Sequence, residues 1–244
     1  MQVRILTVKE YLSLPQPPQR WVIDQLVPAQ SLVVLWGPPK EGKTTLALQA
    51  GRCVAQGLPF LGYETQRGPV LLLQVDTPRS ELTPLLTRIQ SEWAAEAGLL
   101  LPDPDQLALY KPMNILDVDT LYYLRTLVRM ARPSLVIVDC FRELGSFKEN
   151  VSEEQRPIVN ALKSLTTDNS EHPCACLLIH HTSKLSGKET TPDAKDAGRG
   201  SGYLSGAVDS IWFLHQQQIK IEARFAKKQT LYLNYDDTSL WSRR

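Results

Sequence analysis

The stretch GPPKEGKTT at residues 37–45 constrains the fold of this chain more than any other. It follows the apolar run SLVVLW (31–36) and precedes LALQAGRCVAQ. There Leu46, Ala47, Ala50 and Val54 recur at helical spacing until Gly57 stops the run. A buried strand that ends in two prolines and two glycines and opens straight into a helix makes a turn that packs poorly. The same turn gathers backbone N–H groups around something negative.

Gly37, Gly42, Lys43 and Thr44 fit the pattern G-x-x-x-x-G-K-[ST]. The glycines let the backbone approach a phosphate closely. The first N–H groups of the helix point at the anion, and the helix dipole adds attraction. In this pattern the lysine reaches the β- and γ-phosphates and the threonine hydroxyl meets Mg²⁺. The expected ATP cradle is therefore Gly37, Pro38, Pro39, Lys40, Glu41, Gly42, Lys43, Thr44 and Thr45, with Thr44 as a metal ligand. Four such positions match by chance in about one chain in a hundred of this length.

At 244 residues the chain is long enough for one large α/β domain with a buried core. Its formal net charge is only +1, so no bulk basic field draws it onto nucleic acid or membrane, and any polyanion must meet a local patch. The N-terminus MQVRILTVKEYLSL has neither the apolar core nor the cleavage site of a signal peptide, and no apolar run reaches membrane-spanning length. Four cysteines, Cys53, Cys140, Cys174 and Cys176, sit inside apolar segments, which fits a reducing cytoplasmic setting.

The apolar runs alternate between strand and helix signals. PQPPQ (15–19) excludes helix or central strand and closes a lead-in segment over 1–20, leaving 21–244 as one domain. Strands are predicted at 31–36, GPVLLLQVD (68–76), SLVIVD (134–139) and CACLLIHH (174–181), with a short one at LALY (107–110). Helices are predicted over 44–56, 80–97, from Asp117 to Pro133, and over 153–167, with Pro157 in the first turn of the last. Residues 182–206 are rich in glycine and nearly without apolar side chains. AVDSIWFL, IKIEARF and TLYLNYD then close the chain as an antiparallel set with a turn at Lys227 and Lys228. Continuous apolar strands alternating with helices predict a mostly parallel sheet covered on both faces.

The run SLVIVD ends in Asp139. A carboxylate at the C-terminal end of such a strand lies on the ligand side of the sheet, where it can hold Mg²⁺ directly or through water. Beside a phosphate loop it points to nucleotide hydrolysis. His172, Cys174, Cys176, His180 and His181 offer metal-ligand types, yet His180 stands roughly 13 Å along the strand from Cys176, too far for one tetrahedral zinc.

From about Trp21 to Asp236 the chain resembles the RecA-like P-loop ATPases, most closely the RepA-type hexameric replicative helicases and their AAA-type relatives. The resemblance rests on WVIDQLVPAQSLVVLWGPPKEGKTTLAL, LVIVDCFREL, LLIHHTSK and GRGSGYLSGAVDSIWFL. The successive His180-His181 and Arg199-Gly200-Ser201 are its more specific marks. It implies a RecA-like domain that binds ATP and Mg²⁺ and hydrolyses ATP as a homo-oligomer, a hexameric ring, acting on single-stranded DNA as a helicase or translocase. It also implies roles for single residues. Asp76, where the family more often carries glutamate, polarises the attacking water; a helix cap is its other reading. One of His180 and His181 senses the γ-phosphate, and we assign that role to His180. Residues 182–206 become the loop that contacts nucleic acid, through Lys184, Lys188, Lys195 and Arg199. Four basic residues there face three acidic ones, Glu189, Asp193 and Asp196, and Tyr203 alone offers a stacking ring. Arg224, with Lys227 and Lys228 as second candidates, becomes an arginine finger for a neighbour's nucleotide site, or else a solvated strand edge. Two other functions stay open. One is a nucleotide-dependent switch or DNA-loading protein with little turnover, which Asp76 and the nearly neutral loop favour. The other is a small-molecule P-loop kinase, which the scarcity of arginines in 142–156 disfavours.

Overall fold

Apolar runs without polar alternation need cover on both faces, and helices supply it here. The computed structural model describes residues 4–15, 18–90, 98–148, 151–167, 174–182, 202–224, 226–236 and 240–244. Strands β1 (Trp21–Ile23) and β2 (Val27–Pro28) form a small antiparallel ribbon. The main sheet contains β3 (Leu32–Gly37), β4 (Val70–Gln74), β5 (Leu99–Leu100), β6 (Leu135–Asp139) and β7 (Ala175–His181). It continues with β8 (Ser210–His215), β9 (Gln218–Ala223), β10 (Gln229–Asp236) and β11 (Leu240–Arg243). Its order is β11-β10-β9-β8-β3-β7-β6-β4-β5. From β8 to β5 the neighbours run parallel, whereas β9, β10 and β11 return antiparallel.

The helices are α1 (Val8–Ser13), α2 (Lys43–Gln56), α3 (Arg79–Gln90), α4 (Pro104–Ala108), α5 (Val118–Ala131), α6 (Ser152–Thr167) and α7 (Gly202–Ala207). Period two along the strands divides the core between the two faces. On one face Leu46, Ala50 and Val54 of α2 join Val33, Leu35, Ile137 and Leu177. On the other, Leu124 and Val128 of α5, Ile158 and Leu162 of α6 and Leu204 of α7 join Val34, Trp36, Val136 and Leu178. The predicted α/β class, with a mostly parallel sheet, flanking helices and antiparallel closing strands, is the observed one.

Several local expectations are corrected. LALY is not a strand: residues 104–108 form α4, because Asp103 accepts the N–H groups of Asp105 and Gln106 and Pro104 opens the helix. The short strand is β5, nearby at 99–100, and it extends the sheet beyond β4. Pro157 falls within the second turn of α6, not its first, since the helix already begins at Ser152. Part of the expected loop, 202–207, is helix α7, which packs against α6 through Leu204 and Gln155. The last strand, β11, was not expected. Its pairing with β10 brings Trp241 onto α2.

Candidate nucleotide-binding site

The parallel register sets the C-terminal ends of β3, β7, β6 and β4 side by side. Gly37 pairs with His181, Asp139 with Ile179, and Gln74 with Asp139. Chemistry-bearing residues from distant parts of the sequence thus meet along one sheet edge, where open α/β sheets bind ligands.

The phosphate loop is held from two sides. A Cβ at Gly37 would lie 2.2 Å from the Leu214 carbonyl oxygen, so only glycine lets β3 run this close to β8. Gly42 has φ +83°, and a Cβ there would meet the Trp241 ring at 2.8 Å. Behind the loop, α2 opens at Lys43, and the N–H groups of its first turn lack intrahelical acceptors by the geometry of any α-helix. Lys43 is 3% exposed. Its Nζ donates to the carbonyl oxygens of Gly37 (3.0 Å) and Pro38 (2.7 Å), so its charge is stored at the mouth of the loop. Burial pushes its pKa down to about 8, against the pull of Asp139 and Glu41.

Thr44 donates its hydroxyl to Asp139 Oδ2 at 2.7 Å, joining the loop to the end of β6. Gln74 Nε2 donates to the same oxygen at 3.1 Å. Asp139 is buried, which raises its pKa above the ordinary carboxylate value although both hydrogen bonds lower it. The expected metal pair, Thr44 and Asp139, is therefore in direct contact. A hydroxyl and a carboxylate beside a stored lysine fit a magnesium–nucleotide complex.

Asp76 follows β4, and its carboxylate faces His181 Nε2 at 3.8 Å. Asp76 lies ahead of α3, which begins at Arg79. Cys140, directly after Asp139, completes a group with these two side chains. The adjacent histidines do point to opposite faces, but His181 is the one at the Asp76 side. His180, assigned from sequence, is instead buried edge-on against Phe141, with ring centroids 5.3 Å apart. Burial first, then the charges of His181 and Lys43, lower its pKa to about 4. The physical reason is the strand's pleat: His181 is the last residue of β7 and half-exposed at the rim, whereas His180 lies inside the layer.

Arg224 stands elsewhere. Ala223 pairs with Ser210, the first residue of β8, so Arg224 lies at the sheet edge opposite the phosphate loop. Six-residue strands span about 17 Å, which puts this guanidinium out of reach of its own chain's loop. Its Nη2 donates to the Gly206 carbonyl at 3.1 Å, and its Nε lies 3.8 Å from Asp209 Oδ1. Lys228 pairs with Glu222 at 3.0 Å. Lys184, Lys188, Lys195 and Arg199 lie outside the described residues. The Tyr203 ring is met by the Arg156 guanidinium at 5.3 Å.

Three positioning contacts were missed from sequence. Gln74 bonds Asp139 and also faces the backbone N–H groups of Asp76 and Thr77, at 3.4 and 3.5 Å. Glu41, inside the loop, contacts His215 Nδ1 at 2.9 Å and accepts the Gln216 N–H at 2.9 Å, tying the loop to the β8–β9 turn. Gln49 bonds both backbone groups of Trp241, at 2.6 and 2.9 Å. A polar residue ending the run VLLLQ is the one signal that could have revealed Gln74. The other two contacts span about 175 and 192 residues of chain and carry no local signature. Cys174 and Cys176 are buried free thiols within the sheet, apart from any group of metal ligands among the described residues.

The family model described as an AAA domain matches residues 2–187. No curated protein matches the sequence. Among solved structures, the ATPase domain of a helicase superimposes with a TM-score of 0.63 at 14% identity, over 88% of this chain and 86% of that one. A KaiC-like protein from Pyrococcus horikoshii OT3 does so with a TM-score of 0.57 at 15% identity, over 93% of this chain and 100% of that one. At such identities the superpositions speak for the fold, which is RecA-like in both neighbours. No helix among the described residues is long and apolar enough to cross a membrane. With the phosphate loop, the Thr44–Asp139 contact and the parallel sheet in place, the chain belongs to the AAA domain family, as a RecA-like P-loop ATPase of the replicative helicase type.

Proposed function

We propose that this chain is an ATP-hydrolysing motor that assembles with copies of itself, a hexameric ring being the expected form, and acts on single-stranded DNA. The observation that carries the reading is the division of the site between two sheet edges. Lys43, Thr44, Asp139, Asp76 and His181 meet at one edge, and Arg224 stands at the other. A guanidinium so placed serves a nucleotide only across an interface between copies, and head-to-tail contacts of that kind generate rings.

In this reading Lys43 leaves the carbonyls of Gly37 and Pro38 for the phosphates, where its ammonium is better matched than by neutral oxygens. Thr44 and Asp139 would hold Mg²⁺, whose charge offsets that of the phosphate oxygens when it is bound. Asp76 accepts the proton of the attacking water as the new bond to the γ-phosphorus forms and the bond to the leaving ADP oxygen breaks. His181, beside Asp76 and at the end of β7, carries the state of the site into the segment that follows. That segment holds Lys184, Lys188, Lys195 and Arg199, which we assign to DNA backbone contacts.

A second reading, a nucleotide-dependent switch with little turnover, draws on Asp76: the side chain is short and already paired with His181. ATP turnover separates the two. The purified chain is expected to hydrolyse ATP, faster with single-stranded DNA. Lys43→Ala abolishes turnover and nucleotide binding; Arg224→Ala abolishes turnover but keeps binding. Tight binding with negligible turnover, indifferent to DNA, would leave the switch.

A further inference from the structure

We propose that Asp76, Cys140 and His181 form a binding site for a zinc-type divalent cation, distinct from the magnesium position at Thr44 and Asp139. The three residues come from the ends of three adjacent strands: Asp76 two residues after β4, Cys140 one after β6, and His181 closing β7. One ligand atom from each, a carboxylate oxygen, a thiol sulfur and an imidazole nitrogen, lies within 4.8 Å of the other two. The His181 Nε2 to Asp76 Oδ2 separation is 3.8 Å. Bond lengths of about 2.0–2.3 Å in a tetrahedral zinc site put neighbouring ligand atoms roughly 3.3–3.8 Å apart, so less than an ångström of closure is needed.

The donor set selects the metal. Sulfur and imidazole suit zinc and its softer relatives, while magnesium demands oxygen and near-octahedral geometry. Three protein ligands with one side open are the composition of a zinc site that keeps an exchangeable position. Cys140 is buried behind the group, whereas Asp76 and His181 remain partly exposed, so the cation approaches from solvent on their side. The nearby Asp139 carboxylate adds negative potential without joining the ligand set.

Occupation takes the Asp76 carboxylate away from water and so stops hydrolysis. This consequence rests on the proposed role of Asp76 in turnover; the binding itself does not.

The test uses the full chain without a polyhistidine tag, titrated with Co²⁺ as a spectroscopic stand-in. The expected result is one Co²⁺ per chain, with a thiolate-to-cobalt charge-transfer band in the near ultraviolet and tetrahedral bands in the visible, all displaced by Zn²⁺. Cys140→Ser removes the charge-transfer band. Asp76→Asn, at an exposed position that folding does not depend on, weakens Co²⁺ binding by about tenfold or more. Absence of a thiolate band, or a band that survives in Cys140→Ser, overturns the site. In a separate arm, Zn²⁺ added over excess Mg²⁺ stops ATP turnover and a chelator restores it. If Co²⁺ binds through Cys140 while Zn²⁺ leaves turnover unchanged, the site stands and the role given to Asp76 falls.

Discussion

Lys43 is the residue whose physics is most exposed to measurement. Its ordinary pKa of 10.5 is lowered to about 8 because the ammonium is buried. Between those values the unfolded chain holds a proton that the folded one lacks, so folding stability gains from this group as pH rises from about 8 to 10.5. Nucleotide binding runs the other way, because phosphate needs the charged amine. ATP affinity is expected to fall as pH passes upward through about 8, and binding above that pH takes up a proton. Calorimetric titration in buffers of different ionisation enthalpy reads the uptake, and an affinity flat from pH 7 to 9 would contradict it. Asp139 offers the complementary case. Burial raises its pKa, so its charge is held at a cost to the fold, while Thr44 and Gln74 both donate to the same oxygen. Asp139→Asn removes the charge at nearly constant shape. The variant is expected to melt no lower than the parent near neutral pH while turnover is lost.

Among the elements, α2 does two things: its first turn faces the nucleotide, and its flank anchors β11. Gln49 spans both backbone groups of Trp241, and the Trp241 ring rests against Gly42 with its Nε1 3.4 Å from the Gly42 carbonyl. The closing strand therefore props the phosphate loop from outside. Gln49→Ala leaves those backbone groups without their partner, a loss of about 1–3 kcal/mol. For a chain of this size that lowers Tm by about 2–4 °C per kcal/mol. Nucleotide affinity is expected to drop in the same variant, since Trp241 no longer fixes Gly42. Thermal melting and nucleotide titration check both, and a lower Tm with unchanged affinity would confine β11 to a structural role. The sequence made α2 plain, through Leu46, Ala50 and Val54 at helical spacing and the stop at Gly57. It was silent on β11, where only Leu240 and Trp241 are apolar and the cue is tertiary.

At the scale of the molecule, the parallel sheet has two ends with different chemistry. The phosphate loop, Asp139 and the Asp76–His181 pair occupy one; Arg224, held near Asp209 and Gly206, occupies the other. If the second end completes a neighbour's site, a mixture of Lys43→Ala and Arg224→Ala chains regains activity that neither has alone. In an equal random mixture about a quarter of the interfaces pair an intact loop with an intact finger. Turnover near a quarter of the parent value is the expected result, read from ATP hydrolysis against mixing ratio. No recovery at any ratio would return Arg224 to a structural ion pair with Asp209. Turnover per chain should also fall on dilution, because the complete site exists only between copies.

The sequence by itself determined the phosphate loop, the alternation of strand and helix, the carboxylate at the end of β6 and the antiparallel closing strands. These are local properties: glycine and proline placement, apolar periodicity and helix caps act over a few residues. Tertiary structure alone decided that His181 rather than His180 faces Asp76, that Gln74 bonds Asp139, and that Glu41 and Gly42 are held by His215 and Trp241. Such contacts join residues tens to hundreds of positions apart, through strand order and register. A one-residue change of register exchanges the faces of a strand, and no short stretch of sequence records which face meets the site.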